Sequence, residues 1–150
     1  MAKSITRPVT PQLAADIIIE LTDRPGRPIV LIERLYPPYG WAIPGGFVDV
    51  GETIEAAAIR EAKEETSLNV TLKTLLGCYS RPDRDARGHT ASLVYIAEAQ
   101  GQPQAQDDAK DFVICTLDEL PQTLAFDHAK IIADYKRLTQ GGSFSQINLG

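Results

Sequence analysis

Three glutamates in the segment REAKEET, Glu61, Glu64 and Glu65, stand at relative positions i, i+3 and i+4. On a helix that spacing gathers them into a sector of about 100°, where like charges repel by roughly a few tenths of a kcal/mol per pair. They also fall near the C-terminal end of a helical run, where the backbone dipole favours cations. The same sector contains Ile54 and Ala57, with Ala58 at its edge, so this face packs toward the body of the protein. Burying unpaired carboxylates is costly. A hard divalent cation resolves that cost, and Mg²⁺ characteristically takes one or two carboxylates together with water and substrate phosphates. A solvated acidic helix end, balanced by Arg60 and Lys63, is the competing reading. The preceding segment PGGFVDVGE favours the cation. Its glycines Gly45, Gly46 and Gly51 can adopt turns closed to other residues, so the loop can aim a carbonyl at a metal and admit a phosphate chain closely.

The elements that must position these groups follow from the chain's patterning. LAADIIIEL (13–21) and RPIVLIERL (27–35) are β-branched runs separated by the turn residues TDRPG, and read as paired strands. WAIPGGFVDVGE (41–52) reads as a short strand entering the glycine loop. TIEAAAIREAKEET (53–66) lacks Gly and Pro and is rich in helix formers. LNVTLKTLLGCYS (68–80), TASLVYIAEA (90–99) and DFVICTL (111–117) read as strands, and DHAKIIADYKRLTQ (127–140) as a terminal helix with Ile131, Ile132 and Tyr135 on one buried stripe. Residues 141–150 read as a loose tail. Strands with one central and one terminal helix imply an α/β (α+β) domain with a mixed sheet covered on both faces.

Composition sets the outer bounds. At 150 residues the chain suits one domain, residues 1–150, with a substantial core. A formal net charge of −5 argues against a nucleic-acid backbone as the main partner. Cys78 and Cys115 are the only cysteines, and His89 and His128 the only histidines, too few for a Cys/His zinc site. Both cysteines read as reduced core thiols of a cytoplasmic protein. The N-terminal stretch lacks the apolar core of a secretory signal, and no apolar run has the length of a membrane span.

From Gly46, five residues lead to Glu52 and seven more to Arg60-Glu61, followed by Ala62, Lys63, Glu64-Glu65, Thr66, Ser67 and Leu68. This spacing resembles the Nudix box, the signature of the Nudix hydrolases, with one departure: Ser67 stands where the family has glycine. That position follows the helix end and supplies no ligand, so the departure touches stability rather than chemistry. The resemblance implies a Nudix-type α/β/α sandwich and hydrolysis of a nucleoside diphosphate linked to another group. It implies that Glu61, Glu64, Glu65 and the Gly45 carbonyl hold Mg²⁺, with Mn²⁺ as an alternative. Arg60 would position the glutamates and Glu52 would brace the loop. Glu61 is a candidate general base, and Asp107, Asp108 and Asp111 are further candidate acids, because the family also recruits carboxylates from a later loop.

The stretch YSRPDRDARGHTAS (79–92) concentrates Arg81, Arg84, Arg87 and His89. It is similar to the RDPRGH segment of ADP-ribose pyrophosphatases, with Ala86 in place of the proline, and Pro82 lies where that subgroup carries one. The resemblance therefore implies hydrolysis of ADP-ribose to AMP and ribose 5-phosphate by a homodimer. Arg81, Arg84, Arg87, His89 and Gly46 would contact the small-molecule nucleotide, with arginine's planar fork suited to phosphates and diols. The alternatives are a pyrophosphohydrolase of oxidised nucleoside triphosphates and a non-catalytic ADP-ribose sensor. The intact glutamates, and the absence of room for a DNA-binding domain after residue 140, weigh against the sensor. Tyr36, Tyr39, Tyr79 and Phe47 are candidates for stacking on adenine. Asp127 reads as a helix N-cap, and His128 as a surface or capping residue.

Overall fold

In a computed structural model, which describes residues 6–141, the run QLAADIIIEL forms strand β1 (Gln12–Leu21). From Ala14 onward every residue of β1 is buried, the signature of a strand covered on both faces. It pairs in parallel with β6 (Thr90–Ala99) along its whole length, from Gln12 opposite Thr90 to Leu21 opposite Ala99. Its other edge is shared. β4 (Gly45–Phe47) runs antiparallel to the early part, with Gly45 opposite Asp16, whereas β2 (Ile29–Arg34) takes the late part, with Ile29 opposite Glu20. β3 (Trp41–Ala42) and β7 (Ala109–Cys115) both pair with β2, and β5 (Thr71–Tyr79) closes the far edge beside β6. The result is a mixed sheet in the order β3-β2-β1-β6-β5.

Helix α1 (Ile54–Thr66) lies on one face and α2 (His128–Thr139) packs into the core of the other. Because side chains alternate along a strand, Ile17 and Ile19 of β1 meet α1 while Ile18 meets α2. Ala57, Ala58 and Ala62 are fully buried, so α1 seats closely on the sheet. Ile131, Ile132 and Tyr135 form the stripe expected for α2. The expected α/β/α sandwich with a mixed sheet is thus the observed one. No helix among the described residues is long and apolar enough to cross a membrane.

Three local expectations need correction. Cys115 is buried, but Cys78 is exposed, because β5 is an edge strand with a solvated face; both are free thiols. Asp127 occupies the N-cap position of α2 yet makes no side-chain capping bond. His128 is buried rather than at the surface. The tail expected after residue 140 lies almost wholly outside the described residues.

The ends of α1 are set by its sequence. The Thr53 hydroxyl accepts the Ala56 N–H at 3.1 Å, and Ser67 closes the helix in the left-handed region at φ 64, donating its N–H to Lys63 O. Glycine enters that region without the steric cost serine bears. Ser67→Gly should therefore raise stability by about 1 kcal/mol, a gain of roughly 2–4 °C in Tm for a domain of this size. Thermal unfolding followed by circular dichroism measures it.

Candidate active site

The early part of β1, β4, the sheet-facing side of α1 and the loops around residues 85 and 107 enclose a cavity of about 230 Å³. One side is acidic. Glu61 and Glu65 of α1 face it together with Asp16, Asp107 and Asp108. The Gly45 N–H donates to Glu65 Oε1 at 2.8 Å. A Cβ at Gly45 would lie 2.1 Å from Asp16 Oδ1, and one at Gly46 would lie 2.6 Å from the Glu61 carboxylate. Gly45 is required, because a Cβ there would also meet the Ala15 carbonyl at 2.4 Å, whereas one at Gly46 would displace the Glu61 carboxylate.

Arg60 ties the helix to the loop. Its Nη2 and Nε donate to Glu52 at 2.6 and 3.1 Å, its Nη1 to Glu61 at 2.8 Å and Glu64 at 3.2 Å, and Nη2 also reaches the Phe47 carbonyl. Glu52 in turn accepts the Asp49 N–H at 2.9 Å. Arg60 thus reaches two of the three glutamates, and Glu52 bonds both the loop and Arg60. Glu64 is half-exposed and paired with Arg60, outside the cavity lining. Among the described residues no three carboxylate, imidazole or thiol groups converge as a ready-made metal cage.

Burial dominates the electrostatics. It pushes the Glu65 carboxyl up to about 8 even though Gly45 donates to it. It raises Glu61 against the opposing pull of Arg60. It lifts Asp16 to about 6, despite a very short hydrogen bond from the Ser92 hydroxyl. Buried carboxylates with a shortage of countercharge, all offering oxygen, match what Mg²⁺ asks of a protein, since one or two carboxylates suffice when phosphates and water complete the shell. The donor set therefore fits a hard divalent cation.

The opposite side is cationic and aromatic. Arg84 is nearly fully buried, and its fork is taken by Asp127 at 2.9 and 2.7 Å. Arg84 thus lines the cavity with its fork already paired, and the Asp127 carboxylate serves this pair rather than a helix N–H; removing either partner would leave a buried charge uncompensated. Arg87 is held by Asp85 at 2.8 Å, with its guanidinium over the rings of Phe47 and Phe126. Arg34 lies 4.9 Å from the Phe126 ring and donates to Pro38 O; burial and the nearby Arg87 lower its pKa. His128 Nδ1 accepts the Ile43 N–H at 3.0 Å, and burial depresses its pKa to about 3.

Other expected residues stand apart. Arg81 pairs with Asp83, and His89 Nε2 lies 2.9 Å from the Ser80 carbonyl; neither lines the cavity. Asp111 lies on β7 outside it. Of the candidate stacking residues, Tyr36 and Tyr39 are exposed, Tyr79 is buried against Asp134, and only Phe47 faces the cavity. Asp16, Arg34, Asp85, Phe126 and His128 line it without having been singled out as site residues.

A cleft of clustered acids beneath a glycine loop, set where β1 and β4 of the sheet meet α1, defines a class of protein. The model of the NUDIX domain matches residues 10–135, and the chain belongs to the Nudix family. It is 49% identical over 134 residues to an ADP-ribose pyrophosphatase of Methanocaldococcus jannaschii, an alignment covering 87% of this chain and 76% of the relative. Among solved structures it resembles the NUDIX domain of Shewanella oneidensis NrtR complexed with ADP ribose, with a TM-score of 0.76 and 26% identity over 87% of this chain and 90% of that one. It also resembles a MutT/nudix family protein from Enterococcus faecalis, with a TM-score of 0.78 and 28% identity, covering 92% of this chain and 66% of that one.

The buried acids give stability a pH signature. Folded Glu65 holds its proton to about pH 8 while its ordinary value is 4.5, so its contribution is complete below 4.5 and is lost as pH rises through 8. Asp16 acts in the same sense between 3.8 and about 6. His128 acts in the opposite sense, its contribution being lost as pH falls from 6.5 toward 3. From pH 6.5 to 8 only Glu65 of these three titrates. The Tm measured in EDTA should therefore fall across that window, and Glu65→Gln should flatten the fall. A flat wild-type profile would mean that the carboxylate is solvated.

Proposed function

We propose that the protein hydrolyses ADP-ribose to AMP and ribose 5-phosphate, using Mg²⁺ with Mn²⁺ as a substitute. The observation that carries this reading is the union, in one cavity, of the acids Glu61 and Glu65 with a cationic, aromatic wall, in a chain half identical to an ADP-ribose pyrophosphatase. Glu61 and Glu65 would hold the cation, with the Gly45 carbonyl and Glu64 as further ligands. When bound, the cation neutralises diphosphate charge and lowers the pKa of water. The chain's own groups do the rest. Glu61, or Asp107 or Asp108 from the facing loop, takes a proton from the attacking water. A P–O bond of the diphosphate bridge breaks as the new one forms, and the charge leaves with the phosphate of the departing product. Arg60 and Glu52 position the glutamates. Gly46 admits the phosphates, while Arg87 and the Arg84–Asp127 pair shape the nucleotide side. The protein works as a cytoplasmic homodimer, and sedimentation equilibrium at a mass near twice 16.4 kDa would support that.

The test is a substrate panel in magnesium with product identification. ADP-ribose should be the best substrate and yield AMP. Preferred cleavage of 8-oxo-dGTP or another triphosphate to a monophosphate and diphosphate would replace this reading with a nucleotide-cleansing one. Tight ADP-ribose binding with no AMP released would point to a sensor. Glu61→Gln and Glu65→Gln should each lower kcat by about 10²-fold or more, with the fold retained. Near wild-type turnover in either would remove that residue from the reaction.

A further inference from the structure

We propose that Phe47 and Phe126 are the two walls of a slot that takes the adenine base, and that the Arg87 guanidinium fills this slot until the base enters. The inference rests on the adenine-nucleotide reading given above. The Arg87 Cζ lies 5.5 Å from the Phe47 ring centroid and 5.3 Å from that of Phe126. Aromatic partners stack with centroids about 4.5–7 Å apart, so a planar group placed where this guanidinium sits is at stacking distance from both rings. A purine is planar and offers the same kind of face, and a side chain that is 45% exposed can yield the place to it.

The walls are positioned for this use. Phe47 follows Gly45 and Gly46 directly on β4, so one short strand carries both the approach to Glu61 and a face of the slot. Its ring side is partly exposed, at 38% for the residue. Phe126 has φ 55, a backbone conformation that bulky residues rarely adopt and that recurs at ligand sites. Neighbouring backbone bonds hold it there, from Ala125 N–H to Trp41 O and from His128 N–H to Ala125 O. Arg34 lies against the same ring and, among the described residues, has no carboxylate within ion-pair distance. Its guanidinium is thus available to the edge of a base or to the ribose. Asp85, which grips Arg87 through both oxygens, keeps that side chain tethered beside the slot after it is displaced.

Binding of AMP, with ribose 5-phosphate as the control that lacks a base, tests this in magnesium buffer. The adenine H2 and H8 resonances of AMP should move upfield on binding, as ring currents from two phenyl faces require. Phe126→Gly removes the ring and suits a backbone at φ 55. It should weaken AMP binding by about tenfold or more, the scale of base–aromatic stacking, and abolish most of the upfield shift. Phe47→Leu should act in the same direction. Ribose 5-phosphate should bind the wild type and both variants alike. Bound AMP with unshifted H2 and H8 in the wild type overturns the slot, and so does undiminished AMP affinity in both variants. If that same wild type still releases AMP from ADP-ribose, only the slot falls. If AMP shows the shift but ADP-ribose is not cleaved, the slot stands and the hydrolytic reading falls. The wild-type spectrum decides even if a variant folds poorly, and Tm reports folding separately.

Discussion

One guanidinium answers for most of the charge that α1 brings to the site. Arg60 binds Glu52, Glu61 and Glu64, lies 3.6 Å from Asp49, and reaches the Phe47 carbonyl. Without it the glutamates of α1 would repel one another and the loop between β4 and the helix would lose its anchor. Its planar fork spreads donors over several oxygens at once, which the point charge of a lysine cannot reproduce. Yet Arg60 supplies a single charge, and Glu65 lies beyond its reach. The imbalance left over inside the cavity is the charge that a bound cation would offset.

That arrangement depends in turn on how β1 divides its free edge. Its early half takes β4 and its late half takes β2, so the sheet opens where Asp16 faces Gly45. Small residues are needed on both sides of this opening. The buried alanines of α1 let the helix approach the sheet, and the two glycines of β4 let backbone lie against carboxylates. A side chain at either glycine would meet an acid well inside contact distance. The same strand whose glycines lie against the acids ends in Phe47, so close backbone approach and an aromatic face come from one three-residue element.

What could be read from the sequence was what is local. The extents of α1 and α2, to within a residue, and the placing of Ser67 just past the end of α1 follow from neighbours within a few residues. The sheet order could be anticipated only as a mixed sheet, because register is set by contacts distant in sequence. Asp16 looks like a stray polar residue in an apolar strand until β4 and Ser92 of β6 are placed beside it. Arg84 resembles its neighbours Arg81 and Arg87 in sequence, yet forty-three residues away Asp127 claims its fork. Phe126 carried one faint signal, an aromatic residue just before a helix. Its backbone conformation and its two arginine neighbours come from the tertiary fold alone. Cys78 was misread because an alternating strand at a sheet edge shows the same composition whether or not its second face is covered.

The imidazole of His128 has a consequence of its own. Its Nδ1 lone pair is committed to the Ile43 amide, so the ring is locked in a single tautomer whose hydrogen sits on Nε2. A residue type that commonly switches charge near neutrality is here a constant, presenting the same dipole from mildly acidic to alkaline solution. Any change of behaviour with acidity in this cleft has to originate in the carboxylates that face it.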